Sequence, residues 1–197
     1  MGKIDYNQTI IDDAVKILND DGVIIVPTDT VYGMCVRSDS DKAIKKIYEI
    51  KKRRVEKKLT IIVENYERLL SLCDVSLETI KRLQPYFPGK VTVVLKNKNC
   101  DDTVAVRMIH NEIINRIIEK IDCSLMLTSA NISGCETSND ISVLMEEFDG
   151  MVDMIIMGHK VGKTSSTIVE INNNELLLVR EGVVSFDEIK KVYYRGN

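Results

Sequence analysis

Histidine is scarce in this chain: His110 and His159 are the only two. Without a Cys/His cluster the sequence offers no structural zinc site. No Ser-His-Asp set can be assembled without forcing those two residues. Cysteine is present but not organised. Cys35, Cys73, Cys100, Cys123 and Cys135 are odd in number and widely spaced, with no C-x-x-C. That pattern points to reduced thiols of a cytosolic protein rather than a disulfide framework, with buried structural roles for Cys35 and Cys135. Long apolar runs are missing too. None approaches the ~20 residues of a membrane span, and Met1-Gly2-Lys3-Ile4-Asp5 lacks the apolar core of a signal peptide. Neither the P-loop nor G-x-G-x-x-G occurs, so phosphate binding by either glycine loop is not supported.

What remains is a globular composition, 44% hydrophobic and 29% charged over 197 residues. That is the length of one domain able to bury a real core, and no linker, repeat or low-complexity stretch divides it. The net charge of −3 gives no global attraction to nucleic acid, so any anion site must be local.

The periodicity predicts alternating helices and strands. Ile10, Ile11, Ala14, Val15, Ile17 and Leu18 mark a first helix with Gly22 at its C-terminal cap. Val23–Val26 follows as a strand buried on both faces, and Pro27–Gly33 as a polar loop. Ser38 or Ser40 caps a second helix with Ala43, Ile44, Ile47 and Tyr48 inward. Leu59–Val63, Val91–Leu95, Thr103–Arg107 and Leu125–Leu127 read as strands, and 66–72 and 77–83 as short helices. Ile113 to Ile121 marks a third long helix. Further on come a helix near 141–148 and a strand at 154–157. Ser166–Ile171 and Leu176–Arg180 read as a hairpin across Asn172-Asn173-Asn174, and Ser185 caps a last helix. A mixed sheet with helices packed outside is the architecture this order implies.

Several stretches carry possible chemistry. Thr128-Ser129-Ala130-Asn131-Ile132-Ser133-Gly134 leaves a buried strand and turns abruptly polar. Ser129 and Asn131, two apart, share one face of extended chain and offer donors and acceptors to a ligand; the alternative is an ordinary capped turn. Lys51 to Lys58 holds six cations in eight residues. Charge runs are usually solvated faces, but this one is wedged between a helix end and a strand. Lys51 and Arg53 would point the same way in extended chain and together suit a polyphosphate. Thr28, Asp29, Thr30 and Tyr32 lie in a loop at a strand end, where open α/β sheets bind ligands. Arg107 closes Thr-Val-Ala-Val, where a cation can hold a carboxylate or form a surface ion pair. Ser165-Ser166-Thr167 and Arg180 flank strands in the same way.

In this order the segments resemble the threonylcarbamoyl-adenylate synthase family, the YrdC-like proteins of tRNA modification. Pro27-Thr28-Asp29-Thr30-Val31-Tyr32-Gly33 is similar to its opening signature, Lys51-Lys52-Arg53 to its K-x-R element and Ser129-Ala130-Asn131 to its S-x-N element. Pro88-Gly89, Arg107, Ser166-Thr167-Ile168-Val169 and Arg180-x-Gly182 match further along. The resemblance covers about residues 10–190. It implies a twisted, open mixed sheet with flanking helices around a large concave basic cavity, in the short form: a single YrdC-like domain over residues 1–197 with no additional C-terminal domain. The implied reaction makes threonylcarbamoyl-AMP and pyrophosphate from L-threonine, bicarbonate and ATP. Partner proteins then transfer the threonylcarbamoyl group to the adenosine beside the anticodon of certain tRNAs.

Residue by residue, the resemblance implies Lys51, Arg53, Ser129 and Asn131 as the catalytic set on ATP. Lys57, Thr103, Thr137 and Arg180 join them in ATP binding, and Thr30, Arg107 and Ser166 take the threonine, Arg107 through its carboxylate. Mg²⁺ is expected with ATP, held by phosphate and water rather than by a protein motif. A cytoplasmic monomer or homodimer, off the membrane, is expected. The chain departs from the family pattern at Arg54 and Lys58, where proline is common, at Lys90 after Phe87-Pro88-Gly89, at Ile62, often histidine, and at Glu181, usually proline. Two other readings share these residues: a non-catalytic RNA- or tRNA-binding relative, double-stranded RNA included, and a paralogue acting on another carbamoyl or amino-acid substrate.

Overall fold

The computed structural model describes residues 8–158 and 161–195; the first five residues and His159, read above from sequence, lie outside the described residues. In chain order the elements are α1 (Gln8–Asn19), β1 (Ile24–Val26), β2 (Gly33–Arg37), α2 (Asp41–Ile50), β3 (Thr60–Ile62), α3 (Tyr66–Leu72), α4 (Leu77–Lys81) and β4 (Val91–Lys96). They continue as β5 (Thr103–Arg107), α5 (Glu112–Ile118), β6 (Leu125–Ser129), α6 (Ile141–Glu147), β7 (Met154–Ile155), β8 (Thr167–Asn172), β9 (Glu175–Arg180) and α7 (Phe186–Tyr194). Two compact units share them, one of Met1–Lys57 with Asn111–Lys163 and one of Lys58–His110 with Thr164–Asn197.

In the first unit the strands run β7-β1-β2-β6, with β1 parallel to β7 and antiparallel to β2, and β2 antiparallel to β6. β1 is buried along its length, as a strand covered on both faces should be. α1 buries Ile11, Ala14 and Leu18, a stripe at helical spacing, and packs on α5, β1 and β2. Each such buried isoleucine or leucine stabilises by about 1.5–3 kcal/mol relative to exposure. Ser40 caps α2 by accepting from the Ala43 N–H.

In the second unit the order is β3-β5-β4-β8-β9. β3 pairs parallel with β5, β4 antiparallel with β5 and parallel with β8, and β8 antiparallel with β9. Its core gathers Leu69, Ile80, Phe87, Val91, Val93, Val106, Val169, Ile189 and Tyr193. Both units are therefore mixed open sheets with flanking helices.

Several expectations change in detail. β2 is a strand that the polar-loop reading missed. Its first residue is Gly33, where a Cβ would fall 2.7 Å from the Leu127 side chain of β6, so the glycine marks a close approach and not only a turn. α1 closes with the left-handed residue Asp21 (φ 59°). The Asp21 N–H bonds the Leu18 carbonyl (3.2 Å) and the Gly22 N–H the Ile17 carbonyl (2.8 Å), a Schellman closure in which Gly22 follows the left-handed position. α5 ends at Ile118 rather than reaching Ile121. The Ile121 N–H still bonds the Ile117 carbonyl at 3.0 Å, so the apolar period outruns the helix by one turn. The hairpin loop is the pair Asn173 (φ 48°) and Asn174 (φ 65°), both left-handed as a type I′ turn requires.

Candidate functional site

In the first unit, the ends of β1, α2 and β6 meet. Val26 pairs with Gly33 and Gly33 with Ser129, and the Ala130 N–H donates to the Tyr32 carbonyl at 2.8 Å. The loop after β1 is thereby tied to the turn after β6. Within that loop the Thr28 hydroxyl accepts from the Thr30 N–H (3.1 Å) and donates to the Val31 carbonyl (2.6 Å). It also lies 3.2 Å from the Thr30 hydroxyl. Thr30 is buried at 2% exposure, and a Cβ on Gly162 would sit 2.6 Å from its carbonyl oxygen.

α2 stops by the same device as α1. Lys52 is left-handed (φ 48°), its N–H bonds the Glu49 carbonyl and the Arg53 N–H the Tyr48 carbonyl at 2.9 Å. Lys51 and Arg53 are thus set by a helix end and not by extended chain. Lys51 is 1% exposed. Its ammonium donates to the Ser129 carbonyl, to the Asn131 carbonyl at 2.6 Å and to Asn131 Oδ1 at 3.2 Å, and the Ser133 N–H donates back to the Lys51 carbonyl at 2.9 Å. Burial, then the Arg53 charge, pull the Lys51 pKa down to about 7, with Glu147 opposing them. Burial also lowers the Arg53 pKa, and Arg53 Nε donates to the Lys57 carbonyl at 2.9 Å.

Asn131 is fully bonded. Its Oδ1 also accepts from the Ser129 hydroxyl at 2.6 Å, and its Nδ2 donates to the Ile132 and Cys135 carbonyls at 3.0 and 2.7 Å. Both amide hydrogens are used. Lys57 lies exposed beyond Arg53, and the Thr137 hydroxyl bonds the Lys163 carbonyl at 3.0 Å. Cys35 is buried and its pKa is pushed up to about 12 by that burial; Cys135 is exposed, contrary to the buried role expected.

In the second unit, Arg107 ends β5 opposite Ile62 of β3 and is 4% exposed. Arg107 Nε donates to the Gly89 carbonyl at 2.8 Å. Gly89 itself is in the left-handed half of backbone space (φ 137°), and its N–H bonds the Met108 carbonyl at 2.9 Å. The Ser166 hydroxyl lies 2.9 Å from that of Thr92, and Arg180 Nη2 donates to the Ser166 carbonyl at 2.7 Å. Arg180-x-Gly182 is docked by the fully buried Thr167, whose hydroxyl accepts from the Gly182 and Val184 N–H groups and donates to the Val184 carbonyl. A Cβ on Gly182 would stand 2.3 Å from the Ser165 carbonyl oxygen. Thr103 is bonded instead by Lys58, whose ammonium reaches its hydroxyl at 3.2 Å and its carbonyl at 2.6 Å and pairs with Asp102. Glu181, at the family's proline position, accepts from the Phe186 N–H at 2.9 Å and so caps α7.

The structure therefore gathers Lys51, Arg53, Ser129 and Asn131 in the first unit, and Ser166 with Arg180 in the second. Sequence reading missed Thr92, taken as a strand former, and the role of Tyr32, which accepts from the Gly158 N–H at 3.0 Å. A lone hydroxyl inside an apolar strand was the available signal, since buried polar atoms need partners. Among the described residues, no group of three His, Cys, Asp or Glu side chains could hold a metal ion, and no helix is long and apolar enough to cross a membrane.

Strand and helix ends that gather buried cations, hydroxyls and an amide belong to an α/β protein with polar loops at its strand ends. The model of the family described as Sua5/YciO/YrdC, telomere recombination, matches residues 16–182. The chain belongs to that family. It is 30% identical over 176 residues to a putative threonylcarbamoyl-AMP synthase of Methanocaldococcus jannaschii, covering 86% of this chain and 84% of the relative. It is 30% identical over 190 residues to the threonylcarbamoyl-AMP synthase of Pyrococcus abyssi, covering 91% of this chain but only 56% of that relative. Among solved structures, P. abyssi Sua5 complexed with L-threonine superposes with a TM-score of 0.83 at 30% identity, over 92% of this chain and 56% of that one. Escherichia coli YciO superposes with a TM-score of 0.83 at 24% identity, over 91% and 92%, a likeness of fold.

Proposed function

We propose that this chain is a transferase of the nucleotidyl class, an L-threonylcarbamoyladenylate synthase serving tRNA modification. The observation that carries the reading is the bonded cluster of Lys51, Ser129 and Asn131 with the Arg53 guanidinium beside it, at the positions of the family's K-x-R and S-x-N elements. The threonine-bound state of the Pyrococcus relative supports threonine as the amino-acid substrate.

The threonine amine and bicarbonate condense to an N-carboxylate with loss of water. A carboxylate oxygen of that species attacks the α-phosphorus of ATP, the new O–P bond forms, and the bond to pyrophosphate breaks. Negative charge builds on the reacting phosphoryl oxygens and on the leaving group. Fixed cationic and hydroxyl donors stabilise such charge by positioning and electrostatics, without a general base. Arg53 and Ser129 are assigned to this step as donors, with Lys51 and Asn131 of the same set acting by positioning and through space; Lys57, Thr103, Thr137 and Arg180 are assigned to ATP binding, and Arg107, Thr30 and Ser166 to threonine. Mg²⁺ would arrive with ATP, held by phosphate and water. A cytoplasmic protein working with tRNA-modification partners follows from this reading.

Release of pyrophosphate that depends on threonine, bicarbonate and ATP together tests it. RNA binding is the second reading, favoured by the exposure of Lys52, Arg54 and Lys57 along one segment. Charge-neutralising substitutions there would lower the salt dependence of RNA affinity under that reading.

A further inference from the structure

We propose that Lys51 is a positioning residue: its buried ammonium locks the Ser129–Asn131 turn from behind, and it makes no contact with the substrate's phosphates. The inference rests on the reading above for what the turn binds, and on geometry for what Lys51 does.

An ammonium has three hydrogens, and three acceptors stand around this one: the Ser129 carbonyl, the Asn131 carbonyl and Asn131 Oδ1. At 1% exposure the side chain offers no face to a ligand. The bond returned from the Ser133 N–H to the Lys51 carbonyl fixes the end of α2 to the same turn. Other bonds to the Asn131 side chain come from the turn's own residues, Ser129, Ile132 and Cys135. Lys51 is the strut supplied by another element. A charge held there acts on an anion through space, while Arg53 and the Ser129 hydroxyl stand nearer the surface.

The charged groups acting on Lys51 are Arg53, which disfavours its proton, and Glu147, which favours it; Ser129, Asn131 and Ser133, which pack against it, do not titrate.

Amide hydrogen exchange over 129–135 of the ligand-free full chain, measured at one pH and corrected for intrinsic exchange, tests the lock directly. It is run on the wild type and on Lys51→Met and Lys51→Gln, beside dissociation constants for ATP, ADP and AMP. The expected result is a tenfold or greater loss of protection in Lys51→Met. All three nucleotides should weaken by a similar factor. Unchanged protection in both variants overturns the proposal. So does a loss for ATP at least tenfold greater than for AMP, the mark of direct contact with the outer phosphates. If the wild type binds no nucleotide, the functional reading falls, and the exchange data alone decide whether Lys51 locks the turn. Should Lys51→Met not fold, Lys51→Gln carries the same decision.

Discussion

The hydroxyls of Thr92 and Ser166 lie 2.9 Å apart, both buried, Thr92 on β4 and Ser166 at the start of β8. Neither can lose its partner without leaving a polar atom dry. Thr92→Val is expected to destabilise by about 1–3 kcal/mol, the desolvation cost of an orphaned hydroxyl. The double change with Ser166→Ala should recover much of that loss. Urea midpoints of the four proteins check this. In the same variant the KM for threonine should rise while that for ATP stays within twofold, because the bond orients Ser166.

Arg107 is buried, with Nε committed to the Gly89 carbonyl. Its guanidinium is the threonine-carboxylate donor of the proposed reaction. A charge-assisted pair contributes about 1.5–3 kcal/mol, so Arg107→Ala should raise the threonine KM by roughly 10- to 100-fold and the ATP KM far less. Equal effects on both substrates would show the carboxylate assignment to be wrong.

Lys51 should leave a signature in global stability as well. Its folded pKa of about 7 lies below the ordinary 10.5. Below about pH 7 the group is charged in both states, and burying that charge costs stability. Between about 7 and 10.5 the unfolded chain carries a proton that the folded protein lacks, so stability rises with pH through that window. The wild-type urea midpoint should therefore climb from pH 6.5 to 9 relative to that of Lys51→Met. Parallel curves would contradict the depressed pKa.

Gly182 faces backbone on its open side. A Cβ there would meet the Ser165 carbonyl oxygen at 2.3 Å and the Ser166 carbonyl oxygen at 2.6 Å, and backbone cannot rotate away as a side chain can. Gly182→Ala should cost about 2 kcal/mol or more through this overpacking and weaken ATP binding by displacing Arg180. A variant with wild-type stability and ATP affinity would mean that Arg180-x-Gly182 is not held as described.

How legible all this was in the sequence follows the range of each signal. Local chemistry was readable. α3 spans Tyr66–Leu72 as the pattern indicated, Ser185 caps α7 by accepting from the Glu188 N–H, and Asn173 and Asn174 turn the hairpin with positive φ. The Ser129 hydroxyl does meet Asn131 Oδ1, at 2.6 Å, but across a bend after β6 and not along extended chain. Long-range contacts were not readable. β2 hid behind Gly33, whose reason is a Leu127 side chain almost a hundred residues away. Lys51 and Arg53 were read on extended chain, whereas Lys52 turns left-handed between them and sends one cation inward. Thr92 gave no sign that its partner would be Ser166.

The most direct measurement is pyrophosphate release by the purified protein given ATP, bicarbonate and L-threonine, beside a serine control and a blank without amino acid. The account expects release that requires threonine and bicarbonate and collapses in Arg53→Ala. Release no greater than the blank, with ATP still bound, would contradict the proposed reaction and leave the site to another acceptor.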